Sequence, residues 1–416
     1  MYLKREIEPI LKKISKQFAC VTIYGSRQVG KSTLVRTIFN DFNYVTLDNL
    51  DDLSLATSNP KLFLEMYPYP VIIDEIQRVP SLLPLIKKNI DDYKFNNLNN
   101  DKANSLIYVL TGSNQFNLKK SVSESLAGRT ALLNLASLSY REINKYSDSS
   151  LFNPDIDILR TKGNIEKYRE RKEIFEDIFQ GGMPEYLSGN IDRDFFFSSY
   201  IKLYLERDVR NLINPNNLVT FNRFLRFIAL RTASEINYTD IANSIGISTQ
   251  TVKEWLSILK ESGIIVLLEP YMKNMSNRIV KVPKLYFMDT GLCAYLCKWP
   301  TASMLEDGVM NRAFYETYVV SELFKNYYNN GVNPEDYIYY YRDRDQKEVD
   351  IIIDGVDKIY PIEIKKGINP IIKIKNFSFL SKYNKEIKPA LIIGGFEKIR
   401  PISENLYYVP IGYIGK

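Results

Sequence analysis

The sequence predicts an α/β protein of several domains. Three observations carry that expectation. A glycine-rich turn, Gly25 to Thr33, lies between a β-type run and a helical one. A strand-like run, Val71-Ile72-Ile73, ends in Asp74-Glu75. Further on, a helix-turn-helix pattern leads to a strand and then to a predicted hairpin. With 416 residues the chain has room for about two to three domains, each able to bury its own core.

Composition narrows the chemistry. Apolar residues make up 45% and charged residues 25%, which are ordinary globular values. The formal net charge of +6 permits a nucleic-acid partner without demanding one. Histidine is absent, so His triads, His metal sites and His general bases are excluded; carboxylates, lysine, hydroxyls and Mg²⁺-type chemistry remain. Cys20, Cys293 and Cys297 form no C-x-x-C pair and suit a reducing compartment. No run of roughly 18 apolar residues occurs, so a cytoplasmic protein without a membrane span is expected.

In chain order, Arg5 to Gln17 reads as an amphipathic helix with Ile7, Ile10, Leu11 and Ile14 on one side. Cys20 to Tyr24 is a strand. The segment Gly25-Ser26-Arg27-Gln28-Val29-Gly30-Lys31-Ser32-Thr33 then fits G-x-x-x-x-G-K-[ST] in its required strand-to-helix setting. Glycines let such a loop fold tightly around an anion, with successive N–H groups at the helix start aimed at phosphates. Lys31 would reach the β- and γ-phosphates of ATP, and Ser32 would bind Mg²⁺. After a second strand at Tyr44 to Asp48, the run Pro70 to Gln77 places Asp74 and Glu75 at a strand's carboxyl end, where ligands sit in parallel sheets. That puts Asp74 on the Mg²⁺ shell and Glu75 beside the attacking water. The next strand, Leu106 to Leu110, ends in Thr111-Gly112-Ser113-Asn114, short polar residues able to touch the γ-phosphate or its water. Arg129, before the strand Ala131 to Leu135, is either a surface cation or an arginine finger, in cis or in trans.

The combination of GSRQVGKST, VIIDEIQ, LTGSN and ESLAGR resembles the AAA-type branch of prokaryotic P-loop ATPases that carry a carboxy-terminal domain of unknown function. The resemblance continues through Gly181-Gly182-Met183-Pro184-Glu185 and Tyr204 to Arg210 to the carboxyl terminus. It implies phosphate and Mg²⁺ roles for Lys31 and Ser32, metal and water roles for Asp74 and Glu75, and a finger at Arg129. The expected domains are an ATPase core at 1–140, a helical lid and linker at 141–235, a winged helix-turn-helix at 236–290 and a nuclease-like domain at 291–416.

In the lid, Glu206 and Arg210 are spaced as an exposed i, i+4 pair, and Arg207 could sense the nucleotide. In the winged helix, Gly246 separates Thr239 to Ile245 from Thr251 to Ser262, and a strand, Ile264 to Leu268, follows. If the module contacts DNA, Ser248, Thr249, Gln250, Thr251 and Lys253 start the recognition helix, while Lys273, Arg278, Lys281 and Lys284 lie in or beside the wing, near phosphates. A packing or protein-binding role is the other reading.

In the last third, a helix from Asn311 to Lys325 puts Glu316 on the same face as Val319, Val320 and Leu323. Glu348 to Ile353 and Tyr360 to Lys365 predict a hairpin, with Glu363 and Lys365 on one face. The set Glu316, Asp350, Glu363 and Lys365 resembles the restriction-endonuclease-like PD-(D/E)XK core. In that core carboxylates such as Asp350 and Glu363 hold Mg²⁺, and the lysine orients or activates water. Val349 stands where that motif has proline. ATP and Mg²⁺ are the expected ligands; DNA, a protein partner and a homo-oligomer stay open.

Overall fold

The computed structural model describes residues 2–98, 105–113, 122, 124–146, 149–163, 168–205, 209–210, 212–272, 282–343, 345–367 and 377–416. The sequence readings at Asn114, Glu206, Arg207, Lys273, Arg278 and Lys281 fall outside these residues.

The amino-terminal sheet contains β1 (Cys20–Tyr24), β2 (Asn43–Thr46), β3 (Val71–Asp74), β4 (Tyr108–Gly112) and β5 (Thr130–Asn134), all parallel, in the order β2-β3-β4-β1-β5. Strand alternation explains why both faces are apolar. Val71, Ile73 and Leu110 face one core, against α3 (Leu50–Ser58), α4 (Pro60–Met66) and α5 (Leu82–Asn96). Ile72, Val109, Val21 and Ile23 face the other, against α1 (Glu8–Ile14) and α2 (Lys31–Ile38). Because β4 lies between β1 and β3, the end of β4 sits between the glycine-rich loop and Asp74-Glu75.

The first helix is shorter than its periodicity predicts. Pro9 sets its start, and Tyr2 to Glu6 stay outside it. Arg5 and Glu6 are instead committed to buried partners far along the chain.

Helices fill the middle: α6 (Tyr140–Ile143), α7 (Ile156–Thr161), α8 (Arg171–Gln180), α9 (Pro184–Ser188), α10 (Arg193–Tyr204) and α11 (Leu218–Ala229). The Gly181-Gly182 pair between α8 and α9 is a crossing point of backbones. Leu138 N–H donates to the Gly182 carbonyl at 2.7 Å, and Gly182 N–H donates to Asp289 Oδ2 at 2.9 Å. A Cβ on Gly182 would collide with the Leu138 carbonyl, and one on Gly291 would lie 2.5 Å from the Gln180 carbonyl. Gly182→Ala is therefore expected to cost about 1–3 kcal/mol through overpacking, read as a lowered urea midpoint.

Next come β6 (Ser234–Glu235), α12 (Tyr238–Ile245), α13 (Thr249–Glu261), β7 (Ile265–Leu268) and β8 (Lys284–Phe287). Gly246 ends α12 in the left-handed region at φ +82°, and Ser248 caps α13 by accepting from Thr251 N–H at 3.0 Å. The strands form an antiparallel sheet in the order β6-β8-β7.

After α14 (Thr290–Leu296) and α15 (Ala302–Asp307), the long α16 (Asn311–Asn329) leads into β9 (Ile338–Arg342), β10 (Glu348–Asp354), β11 (Lys358–Lys365), β12 (Glu386–Ile387), β13 (Ala390–Gly394), β14 (Arg400–Ser403) and β15 (Leu406–Pro410). These strands form a mixed sheet in the order β14-β15-β13-β11-β10-β9, with β12 on β11. The predicted hairpin is β10 and β11, antiparallel with Ile351 opposite Ile362. The helix runs four residues past its predicted end, and its buried residues lie on all sides, because the middle helices, the sheet and neighbouring helices enclose it. One apolar core extends from Ala136 to Ile414, so the middle helices, α12 with α13, and one face of the last sheet are packed as a unit.

Candidate functional site: the glycine-rich loop and its surroundings

The loop from Gly25 to Lys31 turns sharply because Gly30 takes φ +92° and Gln28 takes φ +60°. Gly25 is required for another reason: a Cβ there would strike the Leu135 carbonyl of the neighbouring β5 exit. The loop delivers Lys31 to the first position of α2, whose leading N–H groups have no partner within the helix. The Lys31 ammonium curls back to donate to the carbonyls of Gly25 at 3.0 Å and Ser26 at 2.8 Å.

Asp74, at the end of β3, is 5% exposed and collects hydroxyl donors: Ser32 Oγ at 2.7 Å, Tyr44 OH at 2.9 Å, and Thr111 Oγ1. Glu75 takes the left-handed conformation at φ +59°, which turns its side chain out of the strand. Its Oε2 accepts from Ser113 Oγ at 3.1 Å and from Gln77 Nε2. Three separate stretches of sequence, Lys31 with Ser32, Asp74 with Glu75, and Thr111 with Ser113, are thus neighbours in space.

A cavity of about 520 Å³ opens over this cluster. Its walls include Gly30 to Thr33 and Glu75, with Tyr2 and Leu3 from the amino terminus and Pro184, Tyr200 and Leu203 from the helical region. The size suits a small-molecule ligand. Tyr2, Tyr44 and Tyr200 carry no motif and were not legible in sequence; Gln77 was legible only as part of the quoted VIIDEIQ.

The donor set at Asp74 fits a hard divalent cation. Ser32 and Asp74 supply two oxygen ligands, and among the described residues no group of three or more His, Cys, Asp or Glu is arranged to hold a metal alone. A site with few protein oxygens is what Mg²⁺ uses when phosphates complete its shell.

Arg129 lies elsewhere. Its guanidinium grips Asp91 on α5 at 2.7 and 3.1 Å. The register pairs Cys20 with Thr130, so Arg129 stands at the amino ends of the strands, whereas the glycine-rich loop leaves their carboxyl ends. Five residues of strand separate the two levels by roughly 16 Å. A finger role in cis is excluded by that distance.

The last-third quartet is divided. Glu316 is 6% exposed on α16 and accepts from Tyr286 OH at 2.7 Å and from Lys284 Nζ at 3.4 Å. Lys284 also contacts Glu348 at 2.5 Å. Lys284 is therefore no wing residue facing DNA: it is 4% exposed and lodged between two carboxylates. Burial and then Asp350 push the Glu316 carboxyl above its usual range, with Lys284 opposing. Burial depresses the Lys284 ammonium, but Glu316, Glu348 and Asp350 outweigh it and the net displacement is upward. Asp350 sits where β10 shifts register against β9 and accepts from Ile364 N–H at 2.8 Å. Glu363 pairs with Lys365 at 3.0 Å. Ile362 and Ile364 join the core shared with α16, so alternation sends Glu363 and Lys365 to the opposite face, with Ile359 and Ile392.

A buried polar cluster joins the amino terminus to the segment after β5 and to α16. Glu6 accepts from Ser139 Oγ and Asn329 Nδ2, both at 3.0 Å, and lies 3.5 Å from Arg141 Nε. Burial, then Glu142, push its carboxyl up to about 6 from 4.5. Between those values the unfolded chain has lost the proton while the folded chain keeps it, so stability falls as pH rises through that window, by about 2 kcal/mol. Glu6→Gln is expected to gain urea stability over wild type at pH 7 and to lose that advantage at pH 4.5.

Comparison with known proteins follows this geometry. A family profile described as an AAA domain matches residues 17–144. This segment is similar to AAA domains. Two further profiles, each described only as a domain of unknown function, match 171–303 (DUF8612) and 312–414 (DUF4143). The chain is similar to an uncharacterized protein of Mycobacterium tuberculosis, 24% identical over 414 residues, 99% of this chain and 84% of that one. It is also similar to an uncharacterized protein of Methanocaldococcus jannaschii, 26% identical over 294 residues, 64% of this chain and 60% of that one. Among solved structures, the Walker-type ATPase PABY2304 of Pyrococcus abyssi aligns with a TM-score of 0.43 at 16% identity, over 71% of this chain and 96% of that one. The Thermotoga maritima RuvB Holliday junction branch migration motor aligns at 0.28 and 16%, over 62% and 88%. Among the described residues of the AAA domain and the rest of the chain, no helix is long and apolar enough to cross a membrane.

Proposed function

We propose that this protein is a Mg²⁺-dependent ATPase that passes its nucleotide state to a DNA-contacting winged helix-turn-helix and to a nuclease-like carboxy-terminal fold. The observation that carries the reading is the meeting of Lys31, Ser32 and Glu75 at one cavity by a helix amino terminus, with Asp74 hydrogen-bonded to Ser32 behind them. The Lys31 ammonium leaves the Gly25 and Ser26 carbonyls for the β- and γ-phosphates, while loop N–H groups take the remaining phosphate oxygens. Ser32 and Asp74 would hold Mg²⁺, which neutralises phosphate charge when bound. Glu75, freed from Ser113 and Gln77, orients the attacking water and takes its proton. Asn114 remains a candidate for the same water. Arg129 acts only in trans, from a neighbouring copy, after releasing Asp91. Mg²⁺-dependent release of phosphate from ATP by the wild-type chain tests the core of this reading; none at saturating ATP would sink it.

DNA contact rests on the exposed Thr249, Gln250 and Lys253 at the start of α13. Binding of duplex DNA that weakens steeply between 50 and 200 mM salt, by roughly 10-fold or more, is expected. No binding at the lower salt would support the second reading, a nucleotide-controlled protein-interaction switch. One observation favours a silent last domain under either reading: Glu316 is engaged by Lys284 and Tyr286, while Glu363 and Lys365 lie on the opposite face of the sheet. Plasmid nicking with Mg²⁺ or Mn²⁺ is accordingly expected to be equal for wild type and Asp350→Ala.

A further inference from the structure

Arg5 lies outside every motif in the sequence, yet it touches the glycine-rich loop. Its side chain is 3% exposed. Nη1 donates to the Val29 carbonyl at 2.8 Å, Nη2 to the Ala136 carbonyl at 2.9 Å, and Nε to Glu142 Oε1 at 2.8 Å. In a trans peptide the C=O and the following N–H point in opposite directions. Holding the Val29 carbonyl toward Arg5 therefore aims the Gly30 N–H away from it, with left-handed Gln28 and Gly30 on either side of Val29 letting the peptide turn.

The far side of this contact leads to the last domain. Glu142 also accepts from the N–H groups of Glu6 and Ser139, each at 2.8 Å. The next residue after Ser139, Tyr140, donates its N–H to Glu322 Oε2 at 2.8 Å, and Lys325 donates to the Leu138 carbonyl at 3.0 Å and to Glu322 Oε1 at 2.9 Å. Glu322 and Lys325 belong to α16, the helix that carries Glu316, six residues or roughly 9 Å along its axis. All of these side chains are buried, where paired charges lock one arrangement firmly.

We propose that Arg5 is a positioning residue for the phosphate-binding loop and that, through Glu142 and residues 138–140, the setting of α16 regulates nucleotide affinity. The inference rests on the nucleotide-binding reading above. It makes the loop and the helix of the last domain one mechanical unit: a movement of α16 shifts Tyr140 and Leu138, hence Glu142, hence the grip of Arg5 on Val29.

The test uses the full chain with Mg²⁺ and a fluorescent ADP analogue, comparing wild type with Arg5→Lys, Arg5→Met, Glu322→Gln and Lys325→Met. Thermal melts identify variants that stay folded. Arg5→Met is expected to weaken ADP binding roughly tenfold, the scale of one charge-assisted hydrogen bond, with Arg5→Lys between it and wild type. The α16 variants, which touch no nucleotide, are expected to weaken it by about threefold. Hydrogen exchange supplies the readout that a merely structural role would not move: the amides of residues 26–31 lose their ADP-dependent protection while those of β1 and β4 do not. Wild-type affinity in folded Arg5→Lys and Arg5→Met, or exchange that rises over the whole sheet, would overturn the positioning role. Unchanged affinity in both α16 variants would overturn the link. Failure of wild type to bind ADP would overturn the nucleotide reading and this inference together, a result distinct from the other two.

Discussion

Glu75→Gln is expected to bind ATP with close to wild-type affinity and to lose turnover by about 10²–10⁴-fold, the range for removing a positioned general base. The position of Glu75 accounts for both effects. It is beyond the end of β3, turned outward by a left-handed backbone, and its carboxylate is held by Ser113 and Gln77 rather than by the loop that would carry phosphate. Replacing one oxygen by an amide nitrogen preserves shape and removes basicity. Lys31→Ala should behave differently. It deletes the ammonium that bridges Gly25 and Ser26 and would meet the phosphates, so affinity falls together with turnover. Measuring KM and kcat for both variants separates the roles. Equal losses of affinity in the two would mean that Glu75 serves only to shape the cavity.

Lys284→Met is expected to destabilise the protein by about 3–5 kcal/mol, because it leaves Glu316 and Glu348 without the cation between them. The double variant Lys284→Met/Glu316→Gln should recover part of the loss, since one of the two stranded charges is then removed. The outcome also decides what β8 does. A wing lysine contacting phosphate would leave stability within about 0.5 kcal/mol and would lower the salt slope of DNA binding by about one. A stability loss without a change in salt slope is the expected pattern. Unfolding by urea and DNA titration on the same samples provide both numbers.

Much of the architecture was legible because it is encoded in neighbouring residues. Gly25 to Thr33 between a β-branched run and an apolar-periodic run specified strand, loop and helix at once. Val71 to Glu75 specified a strand buried on both faces. Gly246 and Ser248 marked the stop of one helix and the cap of the next, and the structure places both there. The runs Glu348 to Ile353 and Tyr360 to Lys365 marked the hairpin of β10 and β11. In each case the information is a period, a cap or a turn, and none needs a distant partner.

What tertiary structure alone decided is which charges meet. Arg5 was counted into a helix, but it bonds to Glu142, 137 positions away, and to the loop it helps to shape. Lys284 was assigned to the wing, and α16 and β10 made it a buried counter-ion instead. Arg129 could have faced its own nucleotide site or a neighbour's, and the parallel register excluded its own. The physical reason is common to all three. A long cationic side chain has no local pattern that distinguishes solvent from a buried carboxylate, and the low-dielectric interior then enforces whichever pairing the packed elements bring together. The sequence by itself determined the glycine-rich loop between strand and helix, the buried strand that ends in Asp74, and the hairpin of β10 and β11. Only tertiary packing decided that Arg5 joins the loop at Val29 to Glu142, and that the segment after β5 is bonded in turn to Glu322 and Lys325 of α16.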